Sequence, residues 1–218
     1  METNWEATNL EIEKVIFNIK GETVVVNKVA NFEELIIDPA DPDQVPCWAE
    51  VWPASIGLAS YIAQTGEVDG KEVLELGAGL GVPGVMAGLK GGLVTFSDFN
   101  SLSLDFCGLN ARENGLVDYR LLLADWRKFP FPMQCQKVLG SDIMYEPRLL
   151  PFLKEVLQVF LQQGSELLLA HPGRSLSFSF VEELVPYSLE GKHWIDYLEV
   201  YMENSLFNYY RVAVHSLS

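Results

Sequence analysis

Apolar and polar positions change period several times along this chain, and each change marks an element. Glu13–Ile19 ("EKVIFNI") and Thr23–Val29 alternate or run apolar on either side of "KGE", the pattern of a short β-hairpin. "NFEELI" begins a helical turn, and "DPADPDQVP" (Asp38–Pro46) is a loop, with three prolines in nine residues. From Ala49 to Gln64 apolar side chains recur at helical spacing (Ile56, Leu58, Ala59, Tyr61, Ile62), and Pro53 suits the first turn of that helix. Short apolar runs then alternate with helical ones. "EVLELG", "LVTFSD", "YRLLLADW", "KVLGSD" and "ELLLAH" read as strands. Pro83–Leu89, Leu102–Asn114, Leu149–Gln163 and Ser177–Tyr187 read as helices between and after them. "HWIDYLEVYM" and "LFNYYRVAVHSL" are two β-rich runs joined through "ENS".

The alternation of strand and helix predicts an α/β fold, a mostly parallel sheet with helices on both faces. A strand reached through a tight turn runs antiparallel to its neighbour, so the last hairpin predicts one antiparallel strand near the C-terminus. Residues 1–45 read as an N-terminal extension, a hairpin and a loop, and 46–218 as the sheet domain.

At 218 residues, 49% of them hydrophobic, the chain suits one globular domain with a sizeable core. No apolar run approaches the ~20 residues that span a bilayer. "METNWEATNLEIEK" lacks the basic and apolar regions of a secretory signal. Cys47, Cys107 and Cys135 are odd in number and not in metal-ligand spacing. Reduced thiols, no metal and a cytoplasmic location are the expectation. Thirty acidic residues against fifteen basic ones give a net charge of −15. That balance disfavours nucleic acid and suits a basic partner surface, or serves only solubility. No dimerisation stripe is evident, so a monomer is the default.

The most informative stretch is "ELGAGLGVPG". Gly77 and Gly79 let backbone approach a ligand without Cβ clashes. The dinucleotide pattern G-x-G-x-x-G needs glycine at 82, where Val82 stands; the glycines are Gly77, Gly79 and Gly81, with Glu75 just upstream. No Lys-Ser/Thr follows, which excludes a P-loop. Such a turn either cradles a nucleotide or serves close packing. Asp98 ends the next predicted strand, where an acid binds a ribose diol or is simply solvated. Asp125 and Trp126 end the third, placed to accept from an adenine amino group and to flank its ring. The other reading is an exposed acid beside a core tryptophan. Asp142 and Tyr145, in "SDIMYEP", either face the reacting end of the ligand or form a helix cap with a packed tyrosine.

The ordered set "VLELGAGLG", "SDFN", "ADW" and "SDIMY" resembles the class I, seven-stranded S-adenosylmethionine-dependent methyltransferases. More narrowly, "CWAEVWPAS" and D-x-x-Y resemble the family-16 protein-lysine methyltransferases, nearest to the branch acting on the electron-transfer flavoprotein β subunit and its bacterial relatives. The resemblance runs from about Pro46 to Arg174. It implies a Rossmann-like seven-stranded sheet, S-adenosylmethionine as cofactor and a lysine of a protein as acceptor. Gly77, Gly79 and Gly81 would pass the backbone around the methionine moiety. Glu75 would orient that end through its ammonium or through neighbouring backbone. Asp98 would bind the ribose, with Phe99 and Asn100 beside the adenosine, and Asp125 and Trp126 would hold adenine. Trp52 would wall the cofactor near the methyl, with Ser141 close by. Asp142 and Tyr145 would line the acceptor channel as the catalytic pair.

One departure is "AHPGR", with His171 where the resemblance to close bacterial relatives leads one to expect an acid. His171 is then either a general base or an incidental loop histidine, and His193 and His215 read as structural. Two other functions use the same features. A small-molecule methyltransferase would use the residues before Pro46 as a lid, and a silent adaptor would keep only the fold.

Overall fold

The computed structural model describes residues 10–36, 38, 45–189, 191–202 and 208–218. Most of the Asp38–Pro46 loop and all of the "ENS" turn lie outside the described residues. Nine strands and five α-helices follow in the order β1 (Ile12–Ile19), β2 (Glu22–Val29), α1 (Pro53–Thr65), β3 (Glu72–Leu76), α2 (Val82–Leu89), β4 (Leu93–Asp98), α3 (Ser101–Glu113), β5 (Tyr119–Leu123), β6 (Lys137–Ser141), α4 (Leu150–Gln162), β7 (Glu166–His171), α5 (Ser175–Glu182), β8 (His193–Tyr201) and β9 (Tyr209–Leu217) among the described residues.

β1 and β2 pair antiparallel from Ile12↔Val29 to Ile19↔Glu22 and form a sheet of their own. The other strands form one seven-stranded sheet in the order β5-β4-β3-β6-β7-β9-β8. β3, β4, β5, β6 and β7 pair in parallel; β9 runs antiparallel to both β7 and β8. This is the expected Rossmann-like architecture. The order reverses between β3 and β6, and in an open α/β sheet that switch point leaves a crevice at the carboxyl ends of the strands.

Two apolar layers sandwich the sheet. One holds α1, α2 and α3 together with Val24, Val26 and Val29 of the hairpin, so the hairpin shares the core of the sheet domain. The other gathers Leu74, Val138, Leu169, Phe160 and Leu157 under α4 and α5. α1 lies close against the sheet because Gly57 has no side chain: a Cβ there would meet Val212 Cγ1 at 2.5 Å. Pro53 occupies its first turn and Gly66, at φ +64°, ends it.

Two element ends differ from the sequence reading. The strand expected over "YRLLLADW" stops at Leu123, because Asp125 turns its carboxylate onto the Arg127 N–H and caps a 3-10 turn, Trp126–Lys128. The helix expected over Ser177–Tyr187 is α5 plus a separate 3-10 turn, Val185–Tyr187. Pro186 has no N–H to bond the Glu182 carbonyl four residues back, so one continuous α-helix does not form.

Candidate active site

The loops after β3, β4, β5 and β6 meet in a cleft of about 430 Å³, roofed by the Val45–Trp52 segment. Of the residues singled out from sequence, Trp52, Gly77, Gly79, Gly81, Asp98, Phe99, Asn100, Asp125, Trp126, Ser141, Asp142 and Tyr145 line it; Glu75 does not.

The loop after β3 turns through left-handed backbone three times, at Gly77 (φ +58°), Gly79 (φ +57°) and Gly81 (φ +75°). A Cβ on Gly77 would sit 2.9 Å from Ile143 Cγ2 and 3.2 Å from Trp126 Cζ2. Buried polar groups fix this loop from behind. The Gly79 N–H donates to Asp98 Oδ2 at 3.0 Å, and the Gly79 carbonyl accepts from Ser103 Oγ at 2.8 Å and Cys107 Sγ at 3.2 Å. Asp98 also accepts from the Asn100 N–H at 2.9 Å. Burial raises its pKa, and these donors partly offset the rise. The Asn100 side chain caps α3, accepting from the Leu102 and Ser103 N–H groups, so its ligand-facing part is backbone.

Glu75 is buried behind the loop, where Oε2 accepts from the Gly84 N–H at 2.9 Å. Burial pushes its pKa up to about 8, so it holds its proton at neutral pH. Its Oε1 has no partner among the described residues. In this position it pins the first turn of α2 through the Gly84 N–H.

At the far wall, Asp125 accepts from Arg127 Nε at 2.9 Å on both oxygens, and that guanidinium holds its carboxyl below the usual range. Trp126 stands against Gly77, and Phe99 is half exposed over the opening.

The other end of the cleft is built from side chains. Asp142 follows β6 in left-handed backbone, φ +53°, an uncommon conformation outside glycine that aspartate tolerates. Its N–H donates to the Ala170 carbonyl at 2.8 Å. Its buried carboxylate is gripped in bidentate fashion by Arg174, the residue before α5, with Nη2–Oδ2 at 3.2 Å. Asp142 is not a helix cap, since α4 begins after Leu149. The Tyr145 hydroxyl lies beside the Cys47 thiol. Burial, then the nearby Cys47, Asp142 and Asp98, keep that phenol well above its ordinary range, hence neutral. Trp52 closes the roof, its Nε1 donating to the Cys47 carbonyl at 2.7 Å.

His171 lies outside the cleft. It ends β7, fully buried, and its Nδ1 accepts from the Gly173 N–H at 3.1 Å. Its Nε2 meets His215 Nε2 at 2.8 Å, and His215 Nδ1 meets His193 Nε2 at 2.9 Å. These contacts fit one set of neutral tautomers, each ring donating to the next. Burial lowers all three, His171 to about 4 and His215 to about 3. A general base within the cleft is thus not what His171 supplies; it anchors the turn that presents Arg174.

Sequence reasoning missed Arg174, Cys47, Ser103 and Asn110. Asn110 is fully buried on α3, accepts from the Asn27 N–H at 2.7 Å and donates to the Leu80 carbonyl at 3.0 Å. It thereby ties the hairpin to the glycine loop. Its signal was a polar residue on the apolar stripe of a helix.

Against known proteins, residues 104 long in the alignment are 36% identical to the histone-arginine methyltransferase METTL23 of Rattus norvegicus, covering 44% of this chain and 46% of that protein. A 132-residue stretch is 32% identical to the protein N-lysine methyltransferase METTL21A of Xenopus tropicalis, covering 58% and 60%. The matches thus span about half the length of these relatives. Among solved structures, the T. thermophilus 16S rRNA N2 G1207 methyltransferase RsmC superposes with a TM-score of 0.66 at 14% identity, over 97% of this chain and 51% of that one. That likeness supports the fold. A family model described as lysine methyltransferase matches residues 32–184, a stretch that carries every loop lining the cleft as well as Arg174. By that match over most of its length, the chain belongs to the lysine methyltransferase family.

Proposed function

We propose that this protein is a methyltransferase that uses S-adenosylmethionine to methylate a lysine side chain of another protein. The observation that carries the reading is the joining of two unlike half-sites in one cleft. A Cβ-free loop and Asp98 form one part of the lining; Asp142, Tyr145 and Trp52 form another.

The residues present fit the cofactor. Asp98 offers a buried acceptor for a diol, Trp126 and Phe99 offer ring faces for adenine, and the loop leaves room where side chains would intrude. When bound, S-adenosylmethionine supplies an activated methyl on a sulfonium. The remaining work falls to the chain: to align the acceptor and keep water out.

A lysine amine has an ordinary pKa of about 10.4, so only about one in a few thousand is neutral at pH 7. Supplying that neutral form costs about 4–5 kcal/mol unless the site helps. The apolar surface around Trp52 and Ile143 desolvates an entering ammonium and so favours proton loss. An isolated carboxylate would oppose this by stabilising the ammonium. Asp142 is not isolated: Arg174 already balances it, so it can accept a hydrogen bond and orient the amine without holding the extra proton. Tyr145 and Trp52 present ring faces to the cation on arrival, worth about 0.5–2 kcal/mol. The neutral phenol of Tyr145 is a poor base, so the proton leaves to water before attack.

The acidic chain suits an acceptor with a basic surface and disfavours nucleic acid. A monomer in the cytoplasm remains part of this reading. Among the described residues no helix is long and apolar enough to cross a membrane. Arginine is the second reading, favoured by the rat relative's name and by the guanidinium that Asp142 already holds. Labelled methyl traced to a residue by mass spectrometry decides. Label on lysine supports the proposal; label on arginine, or on small molecules alone, overturns it.

A further inference from the structure

The outer edge of the large sheet is β8, and its only guards are two acidic side chains, Asp196 and Glu199. Natural sheets blunt such strands with lysine, proline, bulges or short length. β8 pairs with β9 without interruption from His193↔Leu217 to Tyr201↔Tyr209. Its sequence, "HWIDYLEVY", contains no lysine, proline or glycine. Its other side has no strand partner among the described residues. Trp194, Ile195, Tyr197 and Tyr201 are all exposed, the last three on one face and Trp194 on the other.

Position gives this edge a direction. β8 is parallel to β7, since both run antiparallel to β9. Ala213 pairs with His171, the last residue of β7, on one side and with Tyr197 on the other. The hairpin therefore continues past the end of β7 through the pairs Leu198↔Val212, Glu199↔Arg211, Val200↔Tyr210 and Tyr201↔Tyr209. At about 3.3 Å per residue that is roughly 13 Å beyond the carboxyl edge, on the side where the cleft opens.

Charge selects the occupant. β8 itself carries Asp196 and Glu199 and no cation. Tyr61, beneath it on α1, has its pKa raised to about 12 by burial and then by Glu67, Asp196 and Glu166, which marks that flank as negative. On the other face Arg211 already lies 4.1 Å over the Tyr197 ring, so these aromatic faces accept a guanidinium. A second copy of this chain would bring its own acidic β8, with Asp196 and Glu199, against the same acids, and its net charge of −15 adds to that repulsion.

We propose that the outer edge of β8 docks an extended, lysine- and arginine-rich segment of the acceptor protein as an added strand, close to the residue presented to the cleft. This rests on the reading of the acceptor as a protein. Main-chain hydrogen bonds to β8 give such a strand affinity, while Asp196 and the exposed rings select its side chains.

The test uses the full chain and a ten-residue peptide alternating lysine and valine, with a glutamate–valine peptide as control. Amide exchange of β8 slows with the basic peptide and not with the acidic one. Asp196→Lys and Ile195→Lys, both at exposed positions, weaken that binding by about tenfold or more. In methyl transfer both variants raise KM for the protein acceptor and leave S-adenosylhomocysteine affinity unchanged. Equal binding of the two peptides, no protection at β8, or sedimentation showing β8-dependent dimers overturns the docking proposal. Unchanged KM in the variants overturns it too, and leaves the lysine reading standing. Absence of any transfer to protein defeats the lysine reading instead, while protection at β8 still reports directly on the edge.

Discussion

The two ends of the cleft are made of different materials. The glycine-loop end is main chain, held from behind by buried groups: Asp98 and Ser103 on the Gly79 peptide, Asn110 on Leu80, Glu75 on Gly84. The Asp142 end is side chain, held by the ion pair to Arg174, by the Trp52 Nε1–Cys47 carbonyl bond and by the closeness of Tyr145 to Cys47. Main chain packed on buried polar groups has few ways to move without losing hydrogen bonds. Side chains at a rim re-aim at small cost. The first end suits a ligand that never changes, and the second suits an acceptor that differs among relatives of one family.

The comparison predicts that damage at the two ends separates affinity from turnover. The largest effect is expected from Asp142→Ala. It removes the acceptor-side anion and leaves Arg174 without it, so methyl transfer falls by about a thousandfold. S-adenosylhomocysteine affinity, measured by calorimetry, stays near wild type; equal loss of both would show that the ends are not separable. Gly77→Ala should do the reverse. The added Cβ costs about 1–2 kcal/mol in left-handed backbone and meets Ile143 Cγ2 at 2.9 Å. Calorimetry should show affinity reduced by about a hundredfold, with the clash adding about 1–3 kcal/mol.

These contrasts also explain what was legible in the sequence. Strands, helices and the antiparallel close followed from apolar periodicity, because a buried face must repeat at the period of its element. The cleft-lining set was legible because strand ends are adjacent in space once the sheet is parallel. Arg174 and Cys47 were not, since they reach the cleft through tertiary contacts that no spacing encodes. Glu75 misled for the opposite reason. It sits in the motif but on a strand whose two faces are both buried, so its contact with Gly84, not its spacing, fixes its place.

Asn110→Leu sharpens the comparison further. It deletes the link between hairpin and glycine loop and leaves the buried Leu80 carbonyl and Asn27 N–H without that partner. Urea unfolding should show a loss of about 2–3 kcal/mol, with weaker S-adenosylhomocysteine binding as well. Unchanged binding in a folded variant would confine Asn110 to stability.

The histidine chain behind Arg174 gives the smallest and most graded effect. Its rings are neutral, His171 and His215 are buried, and the folded pKa values lie below the unfolded value of about 6.5. The unfolded state then binds protons that the folded state refuses. The chain's stabilising contribution is complete above about pH 6.5 and is lost as pH falls towards about 4 for His171 and about 3 for His215. Thermal midpoints measured from pH 7.5 down to about 4.5 should fall more steeply in wild type than in His215→Phe. Parallel curves would mean that these rings do not carry the acid sensitivity.

The central claim is that both ends of the cleft serve one methyl transfer to lysine. It is tested most directly by incubating the protein with methyl-labelled S-adenosylmethionine and protein extract from its source, then identifying the labelled residue by mass spectrometry. Label is expected on a lysine side chain, lost in Asp142→Ala while S-adenosylhomocysteine still binds. Label on another residue type, or transfer to lysine that persists undiminished in Asp142→Ala, would contradict it.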